Sequence, residues 1–332
     1  IRDRFGTERR GIDIPMVKPN FETNVPGIFI AGELGGMGLI RNAIEQGRQA
    51  LESVLKLKGI GSGDRYDVVI VGSGPAGFAA SLAAMDAGIR FVTVEQDSLG
   101  GTVAHFPRGK LVMTQPAMLP IVGKMKFTET TKEELLEFWQ GVEQKTQLKV
   151  NYNERVTDVV PASSGDGFEV TTTKASYACR AVLLTIGRRG TPRQLGVPGE
   201  EQTKVVYRLI DPAQYEGQHV LVVGGGDSAL EAAHSIAETP GTTVTLSYRS
   251  AAFSRAKAAN RNKVEQLAAA GQLRVLMESN VKEVRNDDVV IDYQGKAYKL
   301  PNQAIIVCAG GILPTGFLKS IGVEVETKFG SA

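Results

Sequence analysis

Gly72, Gly74 and Gly77 stand in the stretch Val71-Gly72-Ser73-Gly74-Pro75-Ala76-Gly77, which has the spacing G-x-G-x-x-G. The first glycine permits a tight turn, the second lets backbone approach a pyrophosphate, and the third lets the next helix sit close to the preceding strand. Glu95 follows near the ~20-residue distance at which a carboxylate meets ribose hydroxyls. A second constellation, Gly224-Gly225-Gly226-Asp227-Ser228-Ala229, repeats the glycine turn and leads on to Arg249, Arg255 and Lys257. An acid there would repel a 2′-phosphate, whereas an arginine pairs with it bidentately. The chemistry is dinucleotide recognition twice over, with NADPH preferred at the second site. A solvated basic helix start is the plainer account of the same cations.

These residues need strands ending at the turns and helices beginning there. Asp67 to Val71 is a β-branched run of the kind buried on both faces of a parallel sheet, and Phe91 to Val94 is a second. Phe78 to Ala87 is Ala-rich and helical, and its N-terminus offers N–H groups and a positive dipole end to phosphate. Val220 to Val223, a helix from Ser228 to Glu238 and a strand from Thr243 to Leu246 repeat that order. Two more buried strands run into glycine, Ala181 to Gly187 (with Thr185) and Ala304 to Gly311, and read as two crossings between the same two domains. Around this frame the pattern predicts an irregular 1–20, a helix over 39–57, and a glycine-rich loop through Gly100, Gly101, His105, Phe106 and Pro107. It also predicts a helix capped by Thr131 with Glu134, a meander over 148–182 turning at Ser164 to Gly167, and strands at 273–277 and 289–293.

The 332 residues, 42% hydrophobic and 22% charged, describe an ordinary globular chain with room for two domains. A net charge of +2 gives no electrostatic case for nucleic acid or an anionic membrane, and the apolar runs are too short for a membrane span. Cys179 and Cys308 form no C-x-x-C, and three scattered histidines make no metal site. Both cysteines read as inert, in a reduced cytoplasmic setting.

With these motifs the chain resembles the two-dinucleotide flavoproteins of the low-molecular-weight thioredoxin reductase group, and within it the bacillithiol-disulfide-reductase-like branch, over nearly all of residues 21 to 330. The resemblance implies an α/β fold of two Rossmann-like, three-layer ββα domains, with the NADPH domain inserted in the FAD domain. It implies that Gly72, Gly74, Pro75, Ala76, Gly77 and Glu95 hold the ADP half of FAD, beside the Gly100-Gly101 loop, and that Thr185 and Gly187 mark the first crossing. Gly224, Gly226, Asp227, Ser228 and Ala229 would hold the NADPH phosphates, with Arg249 and Arg255 on the 2′-phosphate. Thr23 to Glu33 resembles the family's last motif, in which Gly32 and an acid, here Glu33 for the usual aspartate, meet the flavin ribityl chain. The helix after it would face the pyrimidine end of the ring. His105 and Phe106 are the candidates for residues beside the ring, His105 either shaping the pocket or moving a proton.

Three departures bear on activity. No cysteine stands between Tyr207 and Gly217, where thioredoxin reductases carry C-x-x-C, so a direct dithiol relay is out. Ala76 occupies the place of the bacillithiol branch's cysteine. The Thr23–Glu33 motif precedes the first glycine turn instead of coming last, as in a circular permutant or a piece of a tandem protein; Ile1 to Thr7 echoes Val325 to Ser331. The expected division is 1–58 closing the FAD domain, a 59–65 linker, 66–196 FAD-binding, 197–309 NADPH-binding and 310–332 returning to the FAD domain. The expected activity is hydride transfer from NADPH to flavin N5, the domains rotating about 187–197 and 310–315. Electrons would then pass to a ferredoxin, another iron–sulfur module or a small acceptor. The alternatives are a low-molecular-weight disulfide reductase without a protein dithiol and a non-catalytic flavin-binding subunit. A homodimer or a neighbouring module of a longer chain is the expected assembly.

Overall fold

The computed structural model describes residues 11–35, 39–106, 111–113, 116–125, 129–163, 165–188 and 190–329. Ile1 to Thr7, Pro107, Ser164, Gly330 and Ser331, on which the terminal echo and two loop readings rest, lie outside them. The chain divides into two compact units, one drawn from residues 1–104, 109–188 and 313–332, the other from 105–108 and 189–312.

The first unit is built on five parallel strands in the order Ile28–Ile30, Ser176–Leu184, Tyr66–Val71, Phe91–Val94, Val150–Asn151. Side chains alternate across a strand, so one β-branched run feeds two layers. Phe29, Val68, Ile70, Ala181 and Leu183 meet the small residues of helices Ile40–Val54 and Pro75–Asp86. Ile28, Ile30, Val69, Val71, Val182 and Leu184 face Val159, Phe168 and Val170 of the antiparallel meander and Leu318 of a short helix. These side chains are almost wholly buried, the valines, leucines, isoleucines and phenylalanines each worth about 1.5–3 kcal/mol by area. The nine-residue strand Ser176–Leu184 joins the layers: its first half pairs antiparallel with Phe168–Thr172, its second half parallel with Ile28–Ile30.

The second unit repeats this plan. Its parallel sheet runs Val205–Val206, Ala304–Val307, His219–Val223, Thr243–Tyr248, Leu273–Met277. Helices Asp227–Ala237 and Ala258–Ala269 cover one face, and the antiparallel strands Ser279–Val284, Asp288–Tyr293 and Lys296–Pro301 cover the other. Both units are therefore three-layer ββα.

Three local readings need correction. Residues 11–15 are not irregular: they form a strand paired antiparallel with Val325–Phe329, and Asp13 accepts a hydrogen bond from Thr327 Oγ1 at 2.7 Å. The helix over 39–57 stops at Val54, because the Lys56 and Leu57 N–H groups turn to the carbonyls three residues back, a tightening that ends a helix ahead of Gly59. The second unit gathers 189–196 and 310–312, where Thr191–Pro192 pairs antiparallel with Gly311–Ile312.

Candidate functional site

In the first unit the carboxyl ends of the parallel strands Ser176–Leu184, Tyr66–Val71 and Phe91–Val94 lie side by side, and the carboxyl edge is where open α/β sheets bind ligands. Gly72 turns the chain with φ +105°, and its N–H donates to Val94 O at 2.8 Å. A Cβ on Gly77 would stand 1.9 Å from Gly72 O, so the helix packs directly on the turn. Thr185 Oγ1 donates to Val71 O (2.8 Å) and Gly72 O (3.0 Å), tying the Ser176–Leu184 strand end to the same carbonyls. Gly74 is the N-cap of the Pro75–Asp86 helix and supplies no side-chain cap, which leaves the first-turn N–H groups to an anionic ligand. Gly100 N–H donates to Ser73 O at 3.0 Å, and a Cβ on Gly101 would approach Gly74 Cα to 3.0 Å. Gly32 N–H donates to Gln46 Oε1 at 2.9 Å, and Gly32 faces the Ala76 methyl, with Glu33 opening the next turn. The structure thus brings Gly32, Gly72, Gly74, Ala76, Gly77, Glu95, Gly101 and Thr185 to one end of one sheet. Gly187 lies just beyond.

Glu95 is 5% exposed. Its Oε2 accepts Ser73 N–H at 2.7 Å and its Oε1 accepts Asp97 N–H at 2.9 Å, which leaves further lone pairs for ribose hydroxyls. Burial pushes its pKa up, and those two N–H groups offset the push only in part. A carboxyl whose folded pKa is raised stabilises the fold fully below its unfolded value, and that stability is lost as pH rises through the folded value. Relative to Glu95→Gln, the ligand-free wild-type protein is therefore expected to lose stability as pH climbs above the ordinary carboxylate range. Urea melts of both proteins at several pH values check this; a constant difference between them would contradict it.

In the second unit Gly224 N–H donates to Ser247 O (3.0 Å), and a Cβ at Gly224 would meet Cys308 O at 2.3 Å. Gly226 caps the Asp227–Ala237 helix without a side chain, so this turn too presents bare N–H groups. Ala229 is buried beneath it, and Ser228 stands in the first turn. The Asp227 carboxylate is taken up elsewhere: Oδ1 accepts Lys257 N–H (2.8 Å) and Asn260 Nδ2 (2.7 Å), capping the next helix. Arg249, Arg255 and Lys257 are exposed on the loop after the Thr243–Tyr248 strand. That loop is pinned by Phe253, buried and stacked on Tyr248 with ring centroids 5.5 Å apart.

His105 groups with the second unit, its ring against the Arg208 guanidinium. Cys179 is fully buried, which pushes its thiol up to about 12; Cys308 is half-buried. Three contributors escaped sequence reading: Gln46, which holds Gly32; Gly47, whose Cβ would lie 2.0 Å from Ala76 O; and the Tyr248–Phe253 stack. The stack alone had a signal, two aromatics bracketing a basic turn.

Two Rossmann units, each with a glycine turn and an uncapped helix start at the carboxyl ends of its strands, define a protein that binds two dinucleotides. The family model described as pyridine nucleotide-disulphide oxidoreductase matches residues 69–330. A ferredoxin–NADP reductase of Thermus thermophilus is 30% identical over 274 residues, covering 79% of this chain and 78% of the relative. One from Ignicoccus hospitalis is 28% identical over 270 residues, 79% of this chain and 83% of the relative. The solved bacillithiol disulfide reductase Bdr of Staphylococcus aureus superposes with a TM-score of 0.64 at 23% identity, over 81% of this chain and 85% of that one, a likeness of fold. The chain belongs to the pyridine nucleotide-disulphide oxidoreductase family and is an oxidoreductase with the thioredoxin-reductase-like fold.

Proposed function

We propose that the chain is an NADPH-dependent FAD oxidoreductase that delivers electrons to a ferredoxin or a related iron–sulfur protein. The observation that carries this reading is the contrast between two equivalent positions: the first turn is answered by buried Glu95, the second by exposed Arg249 and Arg255. A carboxylate accepts ribose hydroxyls and repels a 2′-phosphate, which assigns FAD to the first unit; arginines favour the 2′-phosphate of NADPH in the second. Bound FAD supplies the chemistry that accepts a hydride and releases single electrons. The chain's residues bind and orient: bare helix N-termini hold the diphosphates, Gly32 and Glu33 serve the flavin's ribityl side, and the Ile40 end of the Ile40–Val54 helix turns its dipole to negative charge there.

The choice of acceptor rests on what is missing from the sequence and on the relatives' names. Of two cysteines, one is inert by burial, and Ala76 stands where the bacillithiol branch carries a thiol. A partner that takes single electrons needs no protein dithiol, and both curated relatives above are named for ferredoxin. The test is anaerobic addition of NADPH or NADH to the flavin-loaded protein, followed by a ferredoxin or a low-molecular-weight disulfide. Bleaching by NADPH and oxidation by ferredoxin support the reading. A flavin that NADPH leaves oxidised, or that only the disulfide reoxidises, would overturn it.

A further inference from the structure

The register of the first sheet places three polar side chains at neighbouring strand ends. Val71 pairs with Val94, and Val94 with Asn151, so the residues just past the strands, Gly72-Ser73, Glu95 and Tyr152, stand side by side at the carboxyl edge. The Asn151–Glu154 segment is laced to the Glu95 strand end. Glu95 N–H donates to Asn151 O (2.9 Å), Asn153 N–H to Asp97 O (3.2 Å), and Glu154 N–H to Glu95 O (2.8 Å). Tyr152 cannot drift from Glu95. The Tyr152 hydroxyl donates to Glu143 Oε1 at 2.6 Å, on the helix Lys132–Thr146. Ser73 is fully buried, and its side chain turns toward the Tyr152 hydroxyl, so turn and tyrosine stand against each other beside Glu95.

We propose that Tyr152, held by Glu143, is a further binding residue for the adenosine half of the first dinucleotide and sets its specificity together with Glu95. The inference rests on FAD being the occupant of the first unit. Because the Tyr152 proton is committed to Glu143, its oxygen is left to act as an acceptor close to the Glu95 carboxylate. Ribose hydroxyls and an adenine amino group are donors and fit such a wall. A 2′-phosphate replaces one of those donors with acceptors and negative charge, which two carboxylates and a tyrosine oxygen disfavour. The pair therefore raises affinity for FAD and ADP and excludes a 2′-phosphorylated adenosine, the reverse of the second unit.

Isothermal titration of the ligand-free protein with FAD, ADP and 2′-phospho-ADP (adenosine 2′-phosphate 5′-diphosphate), for wild type, Tyr152→Phe and Glu143→Gln, tests this, with thermal melting of each ligand-free protein alongside. Tyr152→Phe is expected to weaken FAD and ADP by the same factor, about 5- to 10-fold for one lost hydrogen bond, with a melting temperature no lower than that of Glu143→Gln, which weakens the same Tyr152–Glu143 bond. Glu143→Gln is expected to narrow the preference for ADP over 2′-phospho-ADP. Equal affinities in wild type and Tyr152→Phe would overturn the inference, as would a fall in melting temperature well beyond that of Glu143→Gln, the mark of a packing role. A wild-type protein that binds no FAD would instead defeat the cofactor assignment on which the inference stands.

Discussion

Replacing Arg249 and Arg255 together by alanine is expected to raise the KM for NADPH about 100-fold and to leave that for NADH within about threefold. Each arginine offers a planar fork to a 2′-phosphate, and a hydrogen bond to a charged group is worth about 1.5–3 kcal/mol when well formed. Both side chains are exposed, so the lower end applies, about 1.4 kcal/mol each, or tenfold apiece. The two forks share one phosphate, and each replacement alone should cost less than half the double effect in free energy only if the remaining arginine moves over to compensate. The loop's own structure should survive, because Phe253 and Tyr248 hold it from beneath and neither touches the substitution chemically. Equal rises for NADPH and NADH would mean that the loop, not the phosphate pairing, had been disturbed. No rise for either would mark these cations as a solvated face and remove the support for NADPH. Raising ionic strength should reproduce part of the loss in wild type, since exposed charges are screened over about 8–10 Å.

The parts of this molecule that were legible from sequence are those whose cause is local. A run such as Val68–Val71 must be buried on both sides, and Thr131 with Glu134 spells a reciprocal cap that the structure contains: Glu134 N–H donates to Thr131 Oγ1 and Thr131 N–H to Glu134 Oε2. The glycine turns were legible for the same reason, because their spacing is itself the geometry. What escaped depends on partners far along the chain. Gly11–Pro15 carries two prolines nearby and few apolar residues, and only Val325–Phe329, at the other end of the sequence, makes it a strand. Asp227 reads as a first-turn acid beside a phosphate site, and nothing local says that its carboxylate serves Lys257 N–H and Asn260. Tyr152 looks like any residue after a short strand until the register sets it against Glu95.

Gly47→Ala is the substitution expected to do most damage for its size. Gly47 lies in the middle of the Ile40–Val54 helix, where alanine should stabilise by about 1 kcal/mol on propensity alone. Yet the helix crosses Pro75–Asp86 so closely that the new Cβ would stand 2.0 Å from Ala76 O and 2.7 Å from Ala76 C. That neighbour is backbone inside the glycine turn, with Gly77 already pressed on Gly72 O behind it, so the contact cannot be relieved by rotating a side chain. Either the Ile40–Val54 helix moves out, taking Gln46 from Gly32, or the turn distorts where it should meet the diphosphate. Overpacking of this kind costs about 1–3 kcal/mol where a core can yield, and more where it cannot. The expected result is a protein that retains flavin at least about tenfold more weakly and unfolds at lower denaturant. The matched control is Gly141→Ala, in the Lys132–Thr146 helix with open space around it, expected to bind flavin normally and to be slightly more stable. The comparison also probes chain order. Residues 28–54 precede the glycine turn in sequence, yet they supply a parallel strand and a helix to the sheet that carries it. If Gly47→Ala bound flavin as tightly as Gly141→Ala, that early segment would not be closing the first dinucleotide site, and the assignment of FAD to a sheet completed by residues 28–54 would fall.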